Sequence, residues 1–140
     1  MSNGQTSNLW VSYVTVNGQA VPDSWDKKTG GSSTAQETKY RPGGSPTQVS
    51  LGGPVDVENV TLERLFVRER DMPLLKSMTP LVGRATVTVT QQALDENYAP
   101  WGPTIIYQGR LNKVTPPDQD ANSQAASMIS IEVSSAGTVA

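Results

Sequence analysis

The sequence predicts a mainly β fold: an antiparallel β-sandwich or partial barrel with one short flanking α-helix and a long Gly-rich loop. Three observations carry that reading. Period-two alternation recurs at hairpin spacing, most regularly where Arg84, Thr86, Thr88, Thr90 and Gln92 take one parity and Ala85, Val87 and Val89 the other. Only one stretch shows helical spacing of apolar residues. Gly, Pro, Asn and Asp punctuate the remainder as turns. A chain of 140 residues suits one domain, residues 1–140, with a modest core.

Residues 1–8 are small and polar and read as a flexible arm, with no basic or apolar block of the secretory kind. Residues 9–16 are rich in aromatic and β-branched side chains and form a strand. Asn17-Gly18 suits a two-residue hairpin turn, with a short return over residues 19–21 and Trp25 continuing it. Residues 27–54 break the pattern. They hold six of the twelve glycines, and only four of these 28 residues are apolar. Such a segment cannot fill a core, and loops of this length are uncommon in compact domains. It is either a free loop or one ordered only against another subunit.

Residues 55–67 predict a long strand with mixed faces, Val60, Leu62, Arg64 and Phe66 on one parity. The helix follows at about residues 71–79. Asp71 is its expected cap, Pro73 falls in the first turn, Leu74, Leu75 and Met78 make the apolar stripe, and Pro80 stops it. Residues 95–103 read as a loop and 104–114 as a strand with Gln108, Arg110 and Asn112 on its polar face. Residues 128–134 form the last strand, with Ile129, Ile131 and Val133 opposed to Ser130, Glu132 and Ser134. A small-residue tail closes the chain at residues 135–140.

The chemistry is mostly exclusion. The chain has no His and no Cys, so imidazole bases, His ligands, thiolate nucleophiles and disulfides are absent. Its net charge of −2 lacks the basic footprint of a nucleic-acid binder, and Lys27-Lys28 is too small a cluster to change that. No run of 18 apolar residues exists. Glu58 with Glu63, or Asp95 with Glu96, has no spacing that fixes a catalytic carboxylate pair. Asp118 and Asp120 lack the rest of a calcium loop. The reading is therefore of no enzyme, no metal and no cofactor. What remains is a set of wet strand faces, which line a channel or simply meet solvent. A monomeric ligand- or carbohydrate-binding module using Trp25, Tyr98 and Trp101 as stacking platforms is the alternative reading.

Three stretches weigh on this choice. Trp25-Asp26-Lys27-Lys28-Thr29-Gly30-Gly31 with Thr38-Lys39-Tyr40-Arg41-Pro42-Gly43-Gly44 is the first. Val49-Ser50-Leu51-Gly52-Gly53 followed by Asn59-Val60-Thr61-Leu62-Glu63-Arg64 is the second. Val114-Thr115-Pro116-Pro117-Asp118 with Ile131-Glu132-Val133-Ser134-Ser135-Ala136-Gly137-Thr138 is the third. In order, and across nearly the whole chain, they resemble the tail tube (major tail) proteins of tailed phages, especially those of actinobacterial hosts.

The resemblance implies a subunit that forms six-membered rings, stacked into a hollow tube through which genomic DNA leaves the capsid without sequence-specific binding. It implies a place in the virion after assembly in the bacterial cytoplasm, with tape-measure and terminator proteins as further partners and no membrane anchor. Lumen-facing candidates are then Arg84, Thr86, Thr88, Thr90, Gln92, Gln108, Arg110, Asn112, Ser130 and Glu132, with Glu63 or Glu132 expected to neutralise Arg84 and Arg110. Candidates for contacts between subunits or rings are Lys27, Lys28, Lys39, Tyr40, Arg41, Pro42, Gly43 and Gly44.

Overall fold

A computed structural model describes residues 4–44 and 46–139. The first three residues of the expected N-terminal arm, Ser45 in the long loop, and Ala140 at the end of the tail lie outside the described residues. The strands are β1 (Trp10–Val16), β2 (Gln19–Ala20), β3 (Lys27–Gly30), β4 (Ser33–Tyr40), β5 (Val49–Val57), β6 (Val60–Leu65), β7 (Thr86–Leu94), β8 (Pro100–Thr115) and β9 (Met128–Val139). The helix α1 (Arg68–Met78) stands between β6 and β7 and tightens into a 3-10 turn at Thr79–Leu81.

Seven strands form one antiparallel sheet in the order β2-β1-β7-β8-β9-β6-β3, and β4 with β5 makes a separate two-stranded ribbon. The fold is sandwich-like and mainly β, and the sheet is not closed into a barrel. Its two ends are nonetheless joined by one stretch of chain. Residues 19–30 first run beside β1, with Ala20 opposite Thr15 and Trp25 bridged to Ser12, and then beside β6, with Lys27 opposite Glu63.

Local chemistry explains the elements. Asn17 and Gly18 both take positive φ, 50° and 83°, which is the backbone of a tight hairpin turn matched to strand twist. Asn17 is also tied to β7, where its Oδ1 accepts the Thr86 amide at 3.0 Å. The core collects one parity from each strand. Val14, Val16, Val60, Leu62, Val87, Val89, Leu111, Ile129, Ile131 and Val133 are all buried, as alternation requires. The stripe of α1 covers them, with Met78 fully buried and Leu74 and Leu75 partly so.

Several boundaries differ from the sequence expectation, for identifiable reasons. The helix begins at Arg68, three residues early, and Asp71 is not its cap. Asp71 lies in the first turn, fully buried, and its Oδ2 accepts the Val67 amide at 2.8 Å, so it serves the helix start from inside. Pro73 falls within the helix rather than in its first turn. The helix gives way at Met78, next to Pro80 as expected, although Thr79–Leu81 then forms a 3-10 turn instead of a loop. The expected strand at 55–67 breaks at Glu58-Asn59, so its two ends belong to different sheets. The expected loop at 95–103 narrows to a hairpin tip because β8 starts at Pro100. The tail pairs with β8 as far as Val139.

The largest departure is the segment 27–54. It is not a featureless loop, for it supplies β3, β4 and most of β5. Backbone ladders hold it, and a ladder needs no apolar side chains.

Candidate assembly surfaces

Two surfaces collect the sequence-predicted residues, and a buried brace lies beneath them. The first is the wet face of the main sheet. Thr86 stands opposite Arg110, Thr88 opposite Gln108, and Arg110 opposite Ser134, so residues from β7, β8 and β9 share one face with the core on the other. Thr86, Gln108, Arg110 and Asn112 are exposed, while Thr88, Thr90, Gln92, Ser130 and Glu132 are half-buried. β1 adds Tyr13 opposite Thr90, and β6 adds Thr61 opposite Glu132. Sequence alternation brought most of this face together. It missed Tyr13, which stands 49% exposed among the hydroxyls. The apolar pattern of residues 9–16 concealed which parity faced out.

Two candidates behave differently from expectation. Arg84 sits in the exposed turn before β7 rather than in the strand, its amide donating to the Leu81 carbonyl at 2.9 Å. Gln92 is tied down, its Nε2 donating to the Trp101 carbonyl at 2.8 Å across the irregularity between β7 and β8. The expected neutralisation of Arg84 and Arg110 by Glu63 or Glu132 is not formed among the described residues. Glu132 Oε1 instead accepts from Asn112 Nδ2 at 2.7 Å and from Asn59 Nδ2 at 2.9 Å. The extra residue in the ladder between Leu111 and Lys113 brings Asn112 to it.

The second surface is the β4–β5 ribbon. Lys39 and Tyr40 end β4, and Arg41, Pro42, Gly43 and Gly44 form the tip. The ribbon is largely exposed, with Tyr40, Val49, Leu51 and Val55 each about half exposed or more. Lys27 and Lys28 lie instead in β3, on the main sheet. Lys28 Nζ donates to the Tyr107 hydroxyl at 3.0 Å and stands 4.4 Å from the centre of its ring. That contact sits at the root of the ribbon. Gly30 and Gly31 make the exit there with φ of 84° and 90°, and a Cβ on Gly30 would meet the Asn59 carbonyl oxygen at 2.0 Å. Across the root, the Glu58 amide donates to the Ser32 carbonyl at 2.9 Å.

The brace is internal and joins α1 to β6. Arg64 and Asp71 form a buried pair, to which Arg70 adds Nη2 at 2.9 Å from Asp71 Oδ2. Burial pushes the Asp71 carboxyl up, but hydrogen bonds from Arg70, the Val67 amide and Arg64 outweigh it and hold the group below the ordinary carboxylate range. The Arg64 guanidinium lies 4.3 Å from the Trp25 ring centre. Trp25 is 2% exposed, so it is no stacking platform for a ligand. Tyr98 and Trp101 are exposed, on the β7–β8 hairpin and at the start of β8. Among the described residues, no group of acidic side chains is placed to hold a metal ion.

No protein-family model and no curated protein matches the sequence. Solved structures do match in fold. A chain of the six-fold symmetrised anti-feeding prophage baseplate superposes with a TM-score of 0.73 at 18% identity, covering 100% of this chain and 96% of its own. A chain of an extracellular contractile injection system, in its PVC sheath-tube complex in the extended state, gives 0.70 at 13% identity, covering 98% and 90%. A chain of the anti-feeding prophage tube-terminating cap gives 0.70 at 13%, covering 100% and 93%. At these identities the likeness shows a shared fold, and it extends over the whole domain including the ribbon.

Proposed function

We propose that the chain is a non-enzymatic structural subunit of a tail tube, in a phage or a phage-like injection particle. The single observation that carries the reading is the whole-chain match to subunits of baseplate, sheath-tube and cap assemblies. The resemblance in the loop motif points the same way independently, and the actinobacterial-phage affinity rests on that motif alone.

In this reading six copies close a ring, a number supported by the six-fold symmetry of the matched baseplate. Rings stack into a hollow conduit, and the wet face of Thr86, Thr88, Thr90, Gln108, Asn112 and Glu132 lines it, with Ser130 at its margin beside Glu63. The physics suits that role. Hydroxyls and amides stay hydrated, and Arg110 and Lys113 with Glu132 leave the face one charge from neutral, so passing DNA is not gripped by its phosphates. Other tail proteins, of the tape-measure and terminator kind, are the further partners. The finished particle is the place of action and the bacterial cytoplasm the place of assembly. The exposed ribbon bridges subunits, since a two-stranded hairpin is marginal alone in water.

Electron microscopy of the concentrated purified protein tests this. Rings or tubes about six subunits around are expected. A stable monomer at every concentration and salt, with no such particle in cells expressing the chain, overturns it.

A further inference from the structure

The ribbon and one groove of the same chain are chemically matched. On the distal half of the ribbon, Tyr40 stands opposite Val49, and Leu51 lies two residues along on the same face. Their exposures are 56%, 47% and 47%, so this apolar face has no covering partner among the described residues. The opposite face carries Lys39 across from Ser50, and the Ser50 hydroxyl donates to Glu37 Oε1 at 2.7 Å. That occupies the one carboxylate between residues 33 and 55. The side chains of Lys39 and Arg41 make no hydrogen bond or ion pair among the described residues. The tip is therefore basic on an apolar base.

The groove has the opposite character. About 740 Å³ lies between the ends of β6, β8 and β9 and the loop after Thr115. Glu63, Asp118 and Asp120 line it, with Pro116, Ala125 and Met128 as its apolar part, and it has no Lys or Arg. Glu63 and Asp118 make no ion pair among the described residues. Among the described residues, Asp120 Oδ1 accepts the Asn122 amide alone, at 3.0 Å. The two surfaces lie at opposite ends of β6. The ribbon joins that strand at Val60, whereas the groove starts at Glu63 and continues past Leu65 and its partner Met128.

We propose that the ribbon tip of one copy docks in the groove of a second copy, Lys39 and Arg41 against Glu63, Asp118 and Asp120, with Tyr40 on Pro116 and Met128. The contact is head-to-tail, so it propagates from copy to copy instead of closing a pair. This rests on the self-assembling reading above and adds to it the receiving surface.

Charge exchange tests it. Lys39→Glu with Arg41→Glu, and separately Asp118→Lys with Asp120→Lys, are exposed changes that leave the monomer folded by circular dichroism. Each double variant is expected to raise the concentration needed for assembly about tenfold or more, and the fourfold variant to restore it near wild type. A second measurement uses the absence of cysteine. Arg41→Cys protein mixed with Ala125→Cys protein should give an intermolecular disulfide on mild oxidation during assembly. Wild-type tubes that form while the charge variants assemble equally well and no cross-link appears overturn the groove and leave the tube reading standing. Wild-type protein that never assembles overturns both. A cross-link with loss and rescue of assembly establishes the contact.

Discussion

Arg64 Nη2 lies 2.6 Å from Asp71 Oδ1, with the two side chains 1% and 0% exposed. One comes from β6 and the other from α1, so this charged contact ties the helix to the sheet, beside Arg70, whose Nη2 donates to the Leu65 carbonyl of β6 at 2.8 Å. Arg64 Nη1 also donates to the Pro22 carbonyl at 2.6 Å, which brings in the segment that joins the sheet's two ends. Removing one partner leaves a charge buried without its match. Asp71→Ala should cost about 3–5 kcal/mol of stability by urea denaturation. Replacing both at once, Arg64→Met with Asp71→Leu, should recover most of that loss.

The depressed Asp71 carboxyl gives a pH dependence with a definite sign. Between its folded and unfolded values, the unfolded chain binds the extra proton. The pair's contribution is therefore fully present above about pH 4, the ordinary carboxylate value, and is lost as pH falls through the lower folded value. Asp71→Asn should be less stable at pH 7 and should show a flatter stability profile over the acid range. Equal slopes for the variant and the parent would contradict the assignment.

The ribbon's exit from the main sheet depends on glycine geometry. Gly30→Ala would combine a φ of 84° with a 2.0 Å approach to the Asn59 carbonyl. A loss above about 1 kcal/mol is expected from the strained backbone alone. Gly43 at the ribbon tip has open space around its Cβ position. Gly43→Ala should change stability by no more than about 0.5 kcal/mol. Paired thermal melts of the two variants check this.

The ribbon should be separable from the domain. Its two roots are already hydrogen-bonded through Ser32 and Glu58, so a short Gly-Ser turn can replace residues 34–56. A cut begun at Thr29 would also take half of the β3 ladder with β6. The shortened protein should melt close to the parent and sediment as a monomer under conditions where the parent assembles.

The wet face should become an inner wall on assembly. Thr88→Cys and Gln108→Cys place single thiols on it in a chain with none of its own. Free subunits should react with small and polymer-linked maleimides alike. Assembled tubes should keep reaction with the small reagent and lose it with the large one. Equal reaction of tubes with the large reagent would put this face on the outside.

Much of the main sheet was legible in advance because a half-buried strand writes its burial into its sequence. Val87 and Val89 against Thr86 and Thr88 is such a record, and so is Ile129 and Ile131 against Ser130 and Glu132. The ribbon left no such record. Its backbone bonds are satisfied within the hairpin, and its sparse apolar residues have no core to point to, so composition alone suggested a loop. Arg64 was visible as a charge on an apolar parity. Asp71 looked like a helix cap because a cap and a buried acceptor for the Val67 amide demand the same residue type. Their meeting across seven positions is a fact of packing that no local pattern encodes.

The stretch that follows β1 and then β6 means that neither end of the sheet has an independent fate. Ser12–Trp25 and Lys27–Glu63 lie two residues apart on one strip of backbone. Lifting that strip at its middle would bare both margins together and uncover Trp25 with them. Exposure of the two margins is thereby coupled through one short run of backbone.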